Sequence, residues 1–203
     1  MARPRFYAAA TTLLLVAIVT ACAGTARDPA QASPRPASRY PSTEADVRFM
    51  SAMIGHHTQA LTMAGLAPTH GASPSVRRLA ERIISGQQDE IATMQQWLRD
   101  RGRPVPQGSH MGHGHLMPGM LTDAQMKELA EARGPEFDRR FLASMIQHHR
   151  GAVAMVKELF GTQGAARDQT VFKFANDVGV DQTTEIARME LMLSALPAGE
   201  PSS

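Results

Sequence analysis

The chain has 203 residues, with 21 Lys and Arg against 19 Asp and Glu, one Cys, and 43% hydrophobic residues. Its near-neutral balance, with no basic patch interleaved with aromatics, argues against a nucleic-acid-binding surface. A single cysteine excludes an intrachain disulfide, a thiol redox pair and a thiolate metal centre built from this chain alone.

Residues 1–21 read as an export signal: Arg3 and Arg5 precede an apolar run from Tyr7 to Ile18, and small residues follow. The run is short for a transmembrane helix. Val19-Thr20-Ala21-Cys22 resembles a bacterial lipobox, which makes Cys22 the expected lipidated first residue of a membrane-anchored, extracytoplasmic lipoprotein. Removing residues 1–21 takes away Arg3 and Arg5 and no acid, so the formal charge falls from +2 to 0. Residues 22–41, rich in Ala, Ser, Pro and Thr, have the composition of a tether. The remaining 42–197 is long enough for one domain with its own core.

That domain is a duplication. Asp46–Met63 and Asp138–Met155, offset by 92, share nine identities in 18 positions, where chance gives roughly one. EIATM at 90–94 and EIARM at 185–189 repeat at offset 95. Each half therefore reads as helix, connection, helix: repeat 1 spans about 43–101, a linker 102–121, and repeat 2 about 135–196.

The first helix shows an apolar side containing Phe49, Met50, Met53, Ile54, His57, Ala60, Leu61 and Ala64 at helical period. Thr43 with Asp46 forms a capping-box start. His56 and His57 straddle the middle of the apolar stripe, flanked by Met53 and Met63. Buried imidazoles need partners, each unmade bond costing roughly 1–3 kcal/mol, and a metal ion can supply them. The partner helix is predicted at 74–100 and carries Gln87, Glu90 and Met94 on one face. Between the halves, SHMGHGHLMPGM at 109–120 packs His110, His113 and His115 with Met111, Met117 and Met120 among glycines. Thioether and imidazole together suit copper, Cu(I) especially, better than hard cations.

The second copy repeats the pattern. Phe141, Met145, Ile146, Ala152, Val153 and Val156 lie inward, His148 and His149 stand as His56 and His57 do, and Met155 matches Met63. Gly134-Pro135 offers its helix start. The last helix, predicted at 168–195, carries Gln182, Glu185 and Met189. Asp46 and Asp138 lie too far from the histidines to share a site, and a helix-start role suits them better. With no convincing alternating strand, the expected fold is all-α: a four-helix bundle built from two helical hairpins.

These residues resemble the family catalogued as domain of unknown function 305, placed in the ferritin-like superfamily. The carriers are Phe-x3-Met-Ile-x-His-His-x2-Ala-x2-Met at 49–63 and 141–155, Gln-x2-Glu-Ile-x2-Met at 87–94, and Pro-Gly-Met at 118–120. The second copy departs where Met192 stands near the equivalent of Trp97. The resemblance implies a ferritin-like bundle, and some members of that family are extracytoplasmic copper-binding proteins linked to copper tolerance.

Three functions follow as alternatives. One is capture or buffering of copper, as Cu(I) or Cu(II), by a lipid-anchored protein, with another transition metal as a variant of the same reading. Its ligands would come from His56, His57, His148, His149 and the flanking methionines, from Glu90, Met94, Glu185 and Met189, and from the 110–120 segment. A ferritin-like metal oxidase is disfavoured because no Glu is followed by His at the third position. The last is a metal-free helical module with hydrogen-bonded core histidines. Whether the chain is an enzyme stays open, with binding favoured over catalysis; a second copy of the chain stays open as a partner.

Overall fold

The computed structural model describes residues 41–106 and 117–197. Cys22, His110, Met111, His113 and His115 lie outside them. The described residues form five helices: α1 Glu44–Ala64, α2 Pro74–Asp100, α3 Asp123–Glu131, α4 Gly134–Gly161 and α5 Gln169–Ser194. The expectation of an all-α bundle holds, with α1/α2 and α4/α5 as hairpins and α1 packed on α4.

Local chemistry sets the ends. Thr43 accepts from the Asp46 amide while the Asp46 carboxylate accepts from the Thr43 amide, the expected capping box. Ser73 caps α2 ahead of Pro74, and Asp168 caps α5 by accepting from the Thr170 and Val171 amides. α3 is an addition to the sequence reading. Its own capping box, Thr122 with Gln125, was a visible signal in a segment assigned to neither repeat.

The two halves are clamped reciprocally. Asp46 on α1 accepts the Ala166 amide of the α4–α5 turn at 2.7 Å, and Asp138 on α4 accepts the Ser73 amide of the α1–α2 turn at 3.1 Å. Asp138 therefore serves the neighbouring hairpin, in place of the helix-start role expected for it. The clamps also show that α1 and α4 run antiparallel, since the start of each meets the turn that ends the other's hairpin.

The apolar interior divides in two along the helix axes. One cluster holds Phe49, Met50, Met53, Ile54, Met94, Met155 and Val156; the other holds Met63, Ile83, Phe141, Met145, Ile146 and Met189. In all four long helices the residues at the division are polar. They are His56 and His57, Gln87, His148 and His149, and Gln182, and all six are buried.

Candidate metal-binding layer

A polar layer thus crosses the middle of the bundle. His57 donates from Nε2 to Glu90 Oε2 at 2.7 Å, and His149 donates from Nε2 to Glu185 Oε2 at the same distance. The two glutamates are one-fifth to one-quarter exposed at the edge of the layer. His148 donates to the His56 carbonyl at 2.9 Å, and its ring lies 3.8 Å from the His56 ring. The symmetric counterpart fails: His56 donates instead to the Pro118 carbonyl at 3.0 Å. The Pro118–Gly119 turn takes the place that the His148 carbonyl would hold under exact symmetry, and it rests on both repeats at once, since Gln147 donates to the Gly119 carbonyl.

Two glycines allow that crossing. A Cβ on Gly151 would stand 1.9 Å from the Pro118 carbonyl oxygen, and Gly119, at φ +76°, lies against the α4 backbone. Gln59, which matches Gly151 in the repeat, instead pins the next stretch of linker through both backbone groups of Leu121, at 3.0 and 2.8 Å.

All four imidazoles share one protonation pattern. Each Nε2 faces an oxygen that accepts, so Nε2 carries a proton in all four rings, and in the neutral form of each ring the lone pair sits on Nδ1. None of the four Nδ1 atoms has a partner, nor do both amide atoms of Gln87 and Oε1 of Gln182. His70 is the contrast: it donates to the Ala130 carbonyl and accepts from Thr69 Oγ1, so both its nitrogens are used. A nitrogen lone pair on a ring whose other N–H is fixed by a carboxylate or carbonyl is the usual arrangement of a metal-ligating histidine.

Burial, reinforced by His57, pushes His56 down to about 3, and burial with His56 and His149 holds His148 well below its ordinary value. Both rings are therefore neutral, as a metal ligand must be. The unfolded chain binds protons near pH 6.5 that the folded chain refuses, so stability should fall as pH drops below about 6.5 and continue to fall toward about 3. For two such groups the loss between about pH 7.5 and about pH 5.5 is roughly 2–3 kcal/mol. Urea unfolding of metal-free protein at the two pH values measures it, and equal stability would contradict neutral folded rings.

The sequence-predicted ligands distribute as follows. Met53, Met94 and Met155 lie in one apolar cluster, together with Met50, and Met63, Met145 and Met189 in the other, so both sides of the layer carry buried thioethers. Met117 and Met120 are half-buried beside the Pro118–Gly119 turn. Among the described residues no three His, Cys, Asp or Glu side chains are grouped to hold a metal ion. The residues of the layer and its borders that could hold a metal ion are the imidazoles, through Nδ1, and the adjoining thioethers. That donor set suits a soft, low-coordinate ion. Gln87 and Gln182, seen in the sequence only as neighbours of the glutamates, belong to the layer itself; their recurrence one turn before Glu90 and Glu185 was the available signal. An open groove of about 530 Å³, lined by Asp89, Glu90, Phe174, Asp177 and Asp181 among others, brings solvent to Glu90.

The family model described as a domain of unknown function (DUF305) matches residues 46–193. The chain belongs to this family. Among solved DUF305 structures, the fragment from Deinococcus radiodurans is 30% identical, covers 77% of this chain and 99% of its own, and has a TM-score of 0.66. The DUF305 protein of Streptomyces coelicolor, whose name assigns it provisionally to the secreted proteins, is 31% identical, with 78% and 98% coverage and a TM-score of 0.66. CopM in its Cu(II)-bound form is 33% identical, with 73% and 95% coverage and a TM-score of 0.60, and CopM has also been solved with Cu(I) and silver. No curated protein matches the chain. Among the described residues of this DUF305 protein, no helix is long and apolar enough to cross a membrane.

Proposed function

We propose that this protein is a membrane-anchored, extracytoplasmic copper-binding protein that captures or buffers copper. The observation that carries the reading is the set of four buried imidazoles, each oriented through Nε2 and each left with an unpartnered Nδ1 lone pair. His57–Glu90 and His149–Glu185 hold two rings, Pro118 and the His56 carbonyl hold the others, and thioethers flank the layer. CopM, a relative of the same fold solved in Cu(I)-, Cu(II)- and silver-bound forms, supports a soft-metal cargo. Anchoring rests on the Val19–Cys22 pattern, with Cys22 as the lipidated residue.

The test is equilibrium competition of Cu(I), Cu(II), Zn(II) and Fe(II) for untagged protein against chelators of known strength. Copper should bind most tightly. Zinc or iron outcompeting copper, or no metal bound at all, would overturn the reading. Within it, the 110–120 segment is an accessory site. Replacing His110, Met111, His113, His115, Met117 and Met120 with Ser should lower copper capacity and slow loading while sparing the highest affinity. Loss of the tightest copper from that variant, with the histidine layer intact, would make the segment the primary site.

A further inference from the structure

Two large apolar side chains stand exposed together at one end of the bundle. Phe160, in the last turn of α4, is 43% exposed, and Phe172, in the first turn of α5, is 55% exposed. Their rings meet edge to face at 5.6 Å. The other exposed large apolar residues among the described ones, Val180 and Leu191, stand singly farther along α5.

This is also the end at which the described chain begins. Asp46 in the first turn of α1 binds the Ala166 amide between the two phenylalanines, and Arg101 at the end of α2 pairs with Asp168. The charges here lean positive. Glu44 with Arg103, Asp168 with Arg101 and Asp177 with Lys173 neutralise one another. Beyond those pairs and Asp100, which accepts from Gln96 Nε2, Arg48, Arg99, Lys157 and Arg167 outnumber Glu158 and the buried Asp46. Lys157 sits one turn from Phe160, and Arg167 lies in the turn that joins the two aromatics.

We propose that this aromatic, cationic end is a membrane-docking surface for the anionic bilayer that carries the lipid anchor. The inference rests on the anchoring part of the proposed function and is independent of copper. Eighteen residues separate Cys22 from Pro41, so the tether reaches at most about 70 Å. A domain confined within that distance meets the bilayer at high effective concentration, where a patch too weak to recruit a free protein can still bind. Aromatic rings with neighbouring Lys and Arg are the side chains that settle at an anionic lipid interface. Docking here would set the bundle on its α1 start, with the α3 end away from the membrane.

The full lipidated chain should be reconstituted with vesicles of phosphatidylcholine and phosphatidylglycerol, with and without bromine on the acyl chains. Two reporters are compared: Phe160→Trp at the docking end and Lys127→Trp on α3 at the other, with buried Trp97 as a constant background. Brominated lipid should cut the Phe160→Trp emission on the order of twofold and leave Lys127→Trp unchanged, and the effect should weaken in phosphatidylcholine alone. Protein that pellets with vesicles but shows no quenching at 160, or equal quenching at both positions, overturns the docking surface alone. Protein that does not pellet overturns the anchoring reading and the docking surface together.

Discussion

Replacing Gly151 with alanine should cost this protein roughly 2–6 kcal/mol, enough to consume much of the stability of an ordinary domain. The new Cβ would lie 1.9 Å from the Pro118 oxygen, 2.4 Å from its carbonyl carbon and 2.6 Å from the Gly119 Cα, all backbone atoms that cannot swing aside as a side chain can. Overpacking of this kind costs about 1–3 kcal/mol. Displacing the turn also takes the Pro118 carbonyl away from His56 Nε2. That strands a buried N–H, at roughly a further 1–3 kcal/mol. Urea unfolding measures the loss. Gly86→Ala is the control: nothing lies within 4 Å of its added Cβ in mid-α2, so it should stabilise by about 0.5–1 kcal/mol. A Gly151→Ala protein as stable as the parent would mean that the linker does not dock where the structure puts it.

Changing His57 and His149 together to alanine should weaken the tightest copper by at least tenfold to a hundredfold, the range seen when even the outer support of a metal site is removed. These two rings carry the layer's only carboxylate-supported lone pairs, at 2.7 Å from Glu90 and Glu185. Copper should also cease to raise the unfolding temperature of the variant. In the parent, a hundredfold excess over the dissociation constant should stabilise by about 2.7 kcal/mol. Helix content should persist, because the apolar clusters on both sides of the layer are untouched. Unchanged copper affinity sinks the assignment, and collapse of helicity in metal-free protein would favour histidines that serve only as hydrogen-bonded core. Glu90→Gln with Glu185→Gln should reproduce part of the effect, since an amide orients the ring but adds no charge.

Much of this protein was legible in its sequence because the signals are local. Period, caps and punctuation fixed α2 at Pro74–Asp100 and placed Thr43 and Asp46 at the start of α1. The duplication of Asp46–Met63 revealed two hairpins, and the helical wheel put His56, His57, His148 and His149 among apolar neighbours. Each inference needs only residues within a few turns of one another, and helix geometry relates those whatever the rest of the chain does.

Tertiary structure decided everything that crosses between helices. It paired His57 with Glu90 and His149 with Glu185, and it drew Gln87 and Gln182 into the same layer as the imidazoles. It sent Asp138 to the Ser73 amide, and it let the linker break the symmetry by giving His56 the Pro118 carbonyl. The apolar period says which face of a helix turns inward but leaves open the register at which two faces meet. A slide of one turn along α2 would set different residues opposite His57 with the same pattern. That register is chosen by side-chain packing and by close backbone approaches such as Gly119 on Gly151, contacts that exist only once the helices are assembled.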